Sequence, residues 1–214
     1  MKSKITLLIL LTLTFSSAFG QDSLRTIPNS IVKFLPIELG YSTFMIELES
    51  FNKEGTKSTS FGIGATYSDR TDYDDETVSG FKGELIHRIY ISPFSQRTSK
   101  KGRDYMLGIY GGLFVRGGYE KIESDFYYWN GSTSSEQTNT REGTWIFPGA
   151  MIGVARTYWD KLLVDVYIGA GIRAVNVDDS NPNFDDFYSY YYHASPLDYG
   201  GVAPNIGFKI GLWL

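Results

Sequence analysis

The sequence predicts an all-β fold, an antiparallel up-and-down transmembrane β-barrel of about eight strands. Most of its extended segments place an apolar residue at every second position, as a strand with two unlike faces does. Aromatic residues make up 16% of the chain and 23 residues are glycine, a mixture typical of strands joined by turns. Beyond the N-terminal segment, no stretch is apolar for long enough to form a transmembrane helix. A sheet in a membrane would therefore have to close on itself so that every backbone group is paired.

Residues 1–20 have the pattern of a secretory signal peptide. Two lysines precede an apolar run of 11 residues at 5–15, and small residues lead up to a predicted cleavage after Gly20. The run is too short to span about 30 Å of hydrocarbon as a helix, so we favour a cleaved signal over a retained anchor. The mature domain would be residues 21–214, with 18 basic and 24 acidic residues and a net charge of −6.

The acidic balance and the absence of cysteine exclude several classes of function. An exported chain with negative net charge is a poor partner for nucleic acid, so no nucleic-acid partner is predicted. Without cysteine there is no disulfide, no thiolate metal site, no cysteine nucleophile and no lipidated cysteine.

The extended segments follow one another along the mature chain. In order they are residues 30–39, 44–50, 60–68, 81–91, 105–119, 145–159, 162–174 and 205–214. The last segment, NIGFKIGLWL, is representative, because Ile206 and Phe208 share one face while Gly207 and Lys209 share the other. Strict alternation of this kind predicts a strand whose two faces meet different surroundings.

Two segments are less regular. Residues 30–39 lack clean alternation, but a closed single-chain barrel normally has an even number of strands, so we predict a first strand there, followed by a tight turn at 39–42. Pro148 cannot donate to a sheet ladder, and we expect it to mark a bulge or the start of a strand.

The connections between the segments sort by length. The predicted inner turns are residues 52–57, 95–102 and 159–161, and the predicted outer loops are residues 68–79, 125–142 and 177–201. Short turns at one end and long polar loops at the other are typical of outer-membrane barrels. A soluble sandwich has no reason to sort its loops in this way.

The non-apolar face of the segments is mostly glycine and tyrosine with one or two charges each. Eight strands leave an interior that side chains just fill, and charges buried there must pair. We therefore predict an ion-pair network that plugs the lumen, formed by Glu47, Glu49, Lys82, Glu84, Arg88, Arg116, Asp165, Arg173 and Lys209. The alternative is a channel lined by these charges, although eight strands are too few for a wide aqueous pore.

Aromatic residues cluster near the predicted strand ends. Membrane barrels carry girdles of aromatic side chains at both interfaces with water. The predicted girdle consists of Tyr90, Tyr105, Tyr119, Trp145, Tyr158, Trp159 and Trp213.

The signal peptide, the alternating segments and the terminal strand IGFKIGLWL together resemble the small outer-membrane β-barrel proteins of Bacteroidota. More distantly they resemble the eight-stranded OmpA/OmpX type. The resemblance implies a location in the outer membrane, contact with its lipid and lipopolysaccharide, and insertion by the barrel-assembly machinery. Barrels of this kind usually end in Phe, whereas this chain ends in Leu214. The resemblance implies a location more than an activity, and it names no extracellular partner.

One short motif is a candidate for catalysis. The pair His193 and Ser195 is similar to the His-x-Ser pair of eight-stranded lipid A deacylases, which also use a Glu. A histidine activates a serine when a carboxylate orients it, but no Glu follows residue 142, and only Asp198 is close in sequence. We favour a solvent-facing loop histidine, since so short a motif is weakly specific.

A second loop motif is a candidate for metal binding. Asp179, Asn181 and Asn183 stand at alternate positions, as ligands in a calcium loop do. The loop lacks the glycine and the bidentate glutamate of that motif, so solvation is favoured, with bridging of divalent cations to lipopolysaccharide as the alternative. No cofactor is predicted.

The sequence thus favours a non-enzymatic outer-membrane barrel with a plugged lumen and a structural or surface-interaction role. The alternatives are a lipid A deacylase-like hydrolase, a narrow pore for small solutes and a soluble lipocalin-like barrel. Two distant histidines, His87 and His193, make a transition-metal site improbable, and His87 is predicted on the lipid-facing side.

Overall fold

In the computed structural model the strands close into one antiparallel barrel, in which each strand pairs with its neighbours in sequence and the last pairs with the first. The strands are β1 (Ser30–Phe34), β2 (Thr43–Phe51), β3 (Lys57–Arg70), β4 (Asp75–Thr98), β5 (Asp104–Trp129), β6 (Ser134–Tyr158), β7 (Leu162–Asp179) and β8 (Gly201–Trp213). A short helix, α1 (Pro36–Leu39), lies between β1 and β2. The prediction of an eight-stranded up-and-down barrel is confirmed.

The structure describes residues 30–39, 42–70, 75–98, 104–129, 134–158, 161–179, 197 and 200–214. The predicted signal peptide lies outside these ranges. No helix in the described part of the chain is long and apolar enough to cross a membrane.

The alternation along each strand decides which side chains enter the barrel. Buried and exposed residues alternate without interruption along β2 and along β8 from Ala203 to Trp213. The buried positions include charged residues such as Glu49 and Lys209, while the exposed positions include Leu113 and Ile206, each more than 60% exposed. Successive side chains of a strand point to opposite faces, so the charges line the lumen and the aliphatic residues cover the outside.

The strands at one end of the barrel are longer than the sequence pattern predicts. Most of the outer loops predicted at residues 68–79 and 125–142 is strand, because β4 begins at Asp75, β5 runs to Trp129 and β6 begins at Ser134. The loop predicted at 177–201 likewise begins inside β7. These extensions mix polar, charged and aromatic residues without a regular period of two, so the alternation that reveals a strand in sequence is missing from them.

The first strand is shorter than predicted. β1 ends at Phe34, and α1 takes the place of the second half of the predicted strand at residues 30–39. Pro36 lacks a backbone donor and suits the first turn of a helix. Of the tight turn predicted at 39–42, Leu39 is the last residue of α1 and Ser42 has a positive φ of 55°, while residues 40 and 41 lie outside the described ranges.

Two local features complete the framework. Pro148 lies within β6 and stays in register opposite Val115, so the expected bulge or strand start is wrong, and the irregular register lies instead in β4 between Tyr90 and Ser95. The inner turn after β2 is fixed by Asn52, whose side-chain oxygen accepts hydrogen bonds from the backbone N–H groups of Thr56 and Lys57 at 2.8 and 2.9 Å.

Candidate functional site in the barrel lumen

Ten charged side chains fill the middle of the lumen. The cations are Lys33, Lys82, Arg88, Arg116 and Lys209, and the carboxylates are Glu38, Glu47, Glu49, Glu84 and Asp165. We call this set the lumen network. Its five positive and five negative charges balance, so burial leaves no net charge uncompensated in the lumen.

One part of the network is built around two cations, one from β1 and one from β4. Lys33 Nζ lies 2.5 Å from Glu49 Oε2 and 2.6 Å from Asp165 Oδ2. The Arg88 guanidinium lies 3.0 Å from Glu49 and 3.1 Å from Glu47. All five side chains are completely buried, so these pairs are screened very little by solvent.

A third cation extends the network across the barrel. Lys209 of β8 contacts Glu47 of β2, and its Nζ lies 2.6 Å from Glu84 Oε1 of β4. Glu84 also pairs with Arg116 of β5. The ion pairs therefore join strands that are not neighbours in the sheet, which ties opposite walls together through the interior.

Helix α1 contributes the last carboxylate. Glu38 Oε2 lies 2.8 Å from Lys82 Nζ, and Glu38 Oε1 lies 3.8 Å from the Arg116 guanidinium. Both contacts cross from the β1–β2 connection to β4 and β5. The inward turn of α1 is thus fastened from inside the lumen by two cations.

Neutral side chains satisfy further groups of the network. Arg88 donates to Ser60 Oγ at 2.9 Å, and the Tyr110 hydroxyl donates to Asp165 Oδ1 at 2.7 Å. Arg88 also stacks over the Tyr110 ring, with 5.3 Å between its Cζ and the ring centroid. Hydrogen bonds of this kind offset the desolvation of buried charge.

An aromatic layer lies at the end of the lumen nearest the chain ends. The Phe51 ring lies 5.7 Å from that of Tyr90 and 5.4 Å from that of Trp213, and Trp213 Nε1 donates to Thr157 Oγ1 at 3.2 Å. Tyr90 and Trp213 are about 95% buried, so their assignment to an outer girdle is wrong. Strand-end position suggested the girdle, but the inward parity of each residue on its strand decides its direction.

A second aromatic layer lies beyond the network toward the opposite end. The Arg173 guanidinium lies 5.8 Å from the Trp145 ring centroid and 5.1 Å from that of Phe147. Trp145 is buried, so its girdle assignment is wrong for the same reason of parity. Arg173 faces the lumen as predicted, but it stacks on these rings rather than joining the ion pairs described above. Leu197, which is 3% exposed, accepts a hydrogen bond from Arg141 through its carbonyl at 3.3 Å.

Two other members of the predicted girdle lie on the outside. Tyr119 stacks on Phe81 with 5.8 Å between ring centroids, and its hydroxyl donates to Glu142 at 2.5 Å. Tyr158 lies 5.0 Å from the Arg156 guanidinium. The side chain of Tyr105 and the whole of Trp159 lie outside the described residues.

The outer surface of the barrel carries an apolar band. On β7 the outward residues from Leu162 to Ile172 are all apolar, and 11 residues of a strand tilted by roughly 45° span about 25 Å. His87 lies on this outer face, where its Nδ1 is 3.1 Å from Thr59 Oγ1. Above the band the exposed Lys121 pairs with Glu123 at 2.7 Å, and this hydrogen bond raises the pKa of Lys121.

The catalytic and calcium candidates cannot be placed relative to the lumen. His193, Ser195, Asp198, Asn181 and Asn183 lie outside the described residues. Asp179 ends β7, and its side chain is also outside the description. Within the described ranges, no group of three or more histidine and carboxylate side chains has the arrangement of a metal site.

The sequence pattern missed two members of the network. Lys33 lies between Val32 and Phe34, in a segment with apolar residues on both faces, so no alternation marked it. Glu38 lies on a helix that was predicted as a strand. The one available signal was position, because Lys33 stands directly opposite Glu47 once β1 and β2 are paired.

Comparison with known proteins adds little to this description. No family model and no curated protein matches the chain. Among solved structures, the crystal structure of Acinetobacter baumannii CarO matches 90% of this chain and 100% of that chain, with 9% sequence identity and a TM-score of 0.42. A likeness of this degree carries no argument about location or function, which are therefore inferred from the residues of this chain.

Proposed function

We propose that the chain is an integral outer-membrane barrel without enzymatic activity, whose lumen is closed and whose role is structural or in interactions at the cell surface. The observation that carries this proposal is the inverted distribution of side chains. Balanced charges are buried inside, and aliphatic side chains cover the outside.

The outer surface supports a location in lipid. Among the described residues, 28 large hydrophobic side chains are exposed, and those on the strands form a band around the barrel. Soluble monomers rarely expose contiguous apolar patches larger than a few hundred Å². A band about 25 Å tall matches the apolar height of an outer-membrane barrel. The N-terminal signal pattern would deliver the chain to the export pathway that such a barrel requires.

The interior of the barrel favours a closed lumen rather than a pore. A conducting lumen needs a continuous path of water, whereas the lumen network crosses the barrel from β1 and β2 to β4 and β5. The aromatic layers that contain Trp213 and Trp145 lie on either side of it. Eight strands leave no more room than these side chains fill.

The strand extensions support a role at the surface. Beyond the apolar band, β5 continues to Trp129 and β6 begins at Ser134. Their paired backbones hold this hairpin in extended form. A hairpin held out from the membrane offers contact area to lipopolysaccharide or to another molecule at the cell surface.

The first experiment tests location. The full chain is expressed in a bacterial host, and membranes are separated and analysed on gels with and without boiling. We expect the protein in the outer-membrane fraction, migrating faster when unboiled because the folded barrel stays compact. A monomer that remains soluble without detergent would contradict the proposal.

A second experiment separates a closed barrel from a pore. The protein is refolded into vesicles, its insertion is verified by the unboiled gel band, and the same sample is fused with a planar bilayer. We expect no steady conductance from the folded protein. Reproducible single-channel steps, with a porin as the positive control, would favour the narrow pore instead.

A third experiment tests the hydrolase alternative. His193→Ala is expressed beside the unchanged chain, and the acylation of host lipid A is measured by mass spectrometry. We expect the same acylation pattern with either chain and with an empty vector. Loss of one acyl chain with the unchanged protein, but not with the variant, would show an enzyme.

A further inference from the structure

The buried side-chain atoms without a hydrogen-bond partner are unevenly placed along the lumen. In the described part of the chain they are Glu49 Oε2, Arg88 Nε, Trp145 Nε1, Arg173 Nε and Asn205 Nδ2. The first two belong to the lumen network, where Glu49 Oε2 lies 2.5 Å from Lys33 Nζ and Arg88 pairs with Glu49 itself. The other three are all donors, and none of them belongs to the network. Buried donors in folded proteins nearly always have a partner.

These three donors lie on one side of the network, toward the end of the lumen opposite the chain ends. On β7, Arg173 lies beyond Asp165, the network residue of that strand. On β8, Asn205 lies beyond Lys209 in the same direction, because the two strands are antiparallel and Asp165 pairs with Lys209. Trp145 of β6 belongs to the same end, since its ring contacts Arg173. This end of the lumen therefore presents donors that lack acceptors.

The donors of Arg173 and Trp145 are close to each other. The Arg173 Cζ lies 5.8 Å from the Trp145 ring centroid and 5.1 Å from that of Phe147. Two hydrogen bonds of about 3 Å that meet at one small anion can bridge donors at such a separation. Trp145 is 6% exposed, whereas Arg173 is partly exposed although it faces inward, so its side chain can be reached from this end. We call Arg173, Trp145 and Phe147 the outer donor site.

The charge of Arg173 has no dedicated counter-ion. Within the described ranges its guanidinium contacts the rings of Trp145 and Phe147 and forms no ion pair. Glu120 of β5 attracts it from a greater distance and Arg116 of the network repels it, and Glu120 has interactions of its own. A charge removed from water is normally paired. An anionic ligand would supply both the counter-ion and the missing acceptor.

We propose that the outer donor site binds a small organic carboxylate with an apolar body. The carboxylate accepts from Arg173 Nε and Trp145 Nε1, and the body packs against the Trp145 and Phe147 rings. Nε is one arm of the planar guanidinium fork, which matches a carboxylate with two parallel hydrogen bonds. Asn205 adds a third free donor between this site and the network. A cationic ligand is the less suitable occupant, because the unpartnered groups at this end are all donors.

The test is a calorimetric titration of the protein refolded in an uncharged detergent, with folding verified by the unboiled gel band. Benzoate is the probe, benzamide is the matched ligand without charge, and micelles without protein give the background. We expect saturable binding of benzoate and roughly tenfold weaker binding of benzamide, because hydrogen bonds to a charged group are the stronger ones. Equal binding of the two ligands, or no saturable heat with benzoate in the millimolar range, would overturn the site.

A second ligand tests the apolar part of the proposal. Inorganic phosphate carries negative charge but has no body that could pack on the Trp145 and Phe147 rings. We expect it to bind more weakly than benzoate in the same titration. Phosphate binding as tight as that of benzoate would overturn the assignment of the ligand to carboxylates with an apolar body.

Variants of the chain locate the binding. Trp145→Phe removes the indole donor and keeps a ring, and Arg173→Gln removes the charge. We expect each to weaken benzoate binding by roughly tenfold, because each deletes a hydrogen bond to a charged group. The control Lys121→Gln removes an exposed cation of the pair with Glu123 and should change the affinity by less than about twofold. Unchanged affinity in both site variants would show that benzoate binds elsewhere.

A folding control keeps the result decisive. Should Arg173→Gln fail to give the unboiled band, Arg173→Lys takes its place, since it keeps the charge and loses the planar fork; weaker benzoate binding is expected again, and unchanged binding would count against the site. Binding in micelles needs a folded barrel and no bilayer. A negative titration therefore leaves the outer-membrane location standing, and a protein that binds benzoate but stays soluble without detergent would remove the location alone.

Discussion

Arg88 is the cation whose removal should weaken the barrel interior most. Its guanidinium lies within 3.7 Å of three carboxylates, those of Glu49, Glu47 and Asp165, and no part of its side chain is exposed. Arg88→Met retains much of the aliphatic stem but leaves five carboxylates facing four cations. Removing one partner of a buried ion pair costs about 3–5 kcal/mol, and we expect that loss in the free energy of unfolding.

The measurement is a urea titration of the refolded barrel in detergent micelles. The folded fraction is read from the unboiled gel band and from tryptophan fluorescence, and refolding is followed from high urea to verify equilibrium. With a urea slope of about 1–3 kcal/mol per molar, the predicted loss lowers the midpoint by at least about 1 M.

Two further variants make the result interpretable. Lys121→Met breaks the exposed pair with Glu123 and should lower the free energy of unfolding far less than Arg88→Met does, because solvent screens the exposed pair. The double variant Arg88→Met with Glu49→Gln removes one charge of each sign, so part of the stability should return. Two results would refute the interpretation of the lumen as a balanced network. One is a loss of unfolding free energy for Arg88→Met no larger than that for Lys121→Met. The other is a loss for the double variant that exceeds the sum of the losses for Arg88→Met and Glu49→Gln alone.

Two other predictions concern packing and lipid contact. Gly149→Ala should lose about 1–3 kcal/mol of unfolding free energy, because a Cβ there would overlap the Phe114 ring. The control Gly111→Ala has nothing within 4 Å of the added atom and should change the free energy of unfolding by less than about 0.5 kcal/mol. Equal losses in the same urea titration would contradict this packing. For a barrel folded in lipid vesicles, Ile168→Lys, near the middle of the apolar band, should lower the free energy of unfolding by about 2–4 kcal/mol. Val202→Lys, near the edge of the band, should lower it by about 0–1 kcal/mol. Equal losses at the two depths would argue against a bilayer around the band.

Much of the barrel could be predicted from local pattern alone. Glu47 and Glu49 alternate with Ile46 and Leu48, and this alternation assigns the charges to one face and the aliphatic residues to the other before any partner is known. The same period assigns Lys209 on β8. Eight of the nine charges predicted for the lumen lie in the network, and the ninth, Arg173, faces the lumen beyond it.

The errors arose where the local pattern carries two meanings. Trp213 ends β8, and Trp145 begins the predicted strand at 145–159 although β6 in fact starts at Ser134. Proximity to a strand end suggested the interface for both, whereas their inward positions on the strands bury them. Lys33 stands in a segment that is apolar on both faces, so its direction had no signature. The long strand extensions lack a regular alternation of polar and apolar residues, which makes a paired strand and a loop look alike in sequence.

The sequence by itself determined the strand count and the direction of most side chains, because a period of two is a property of each segment and needs no knowledge of its neighbours. Only the tertiary structure decided which carboxylate meets which cation and where β1 gives way to α1. Lys209 and Glu47 are 162 positions apart, and they meet only because the barrel closes. The inward turn of α1 likewise depends on Lys82 and Arg116, two cations that the folded walls of β4 and β5 bring within reach of Glu38.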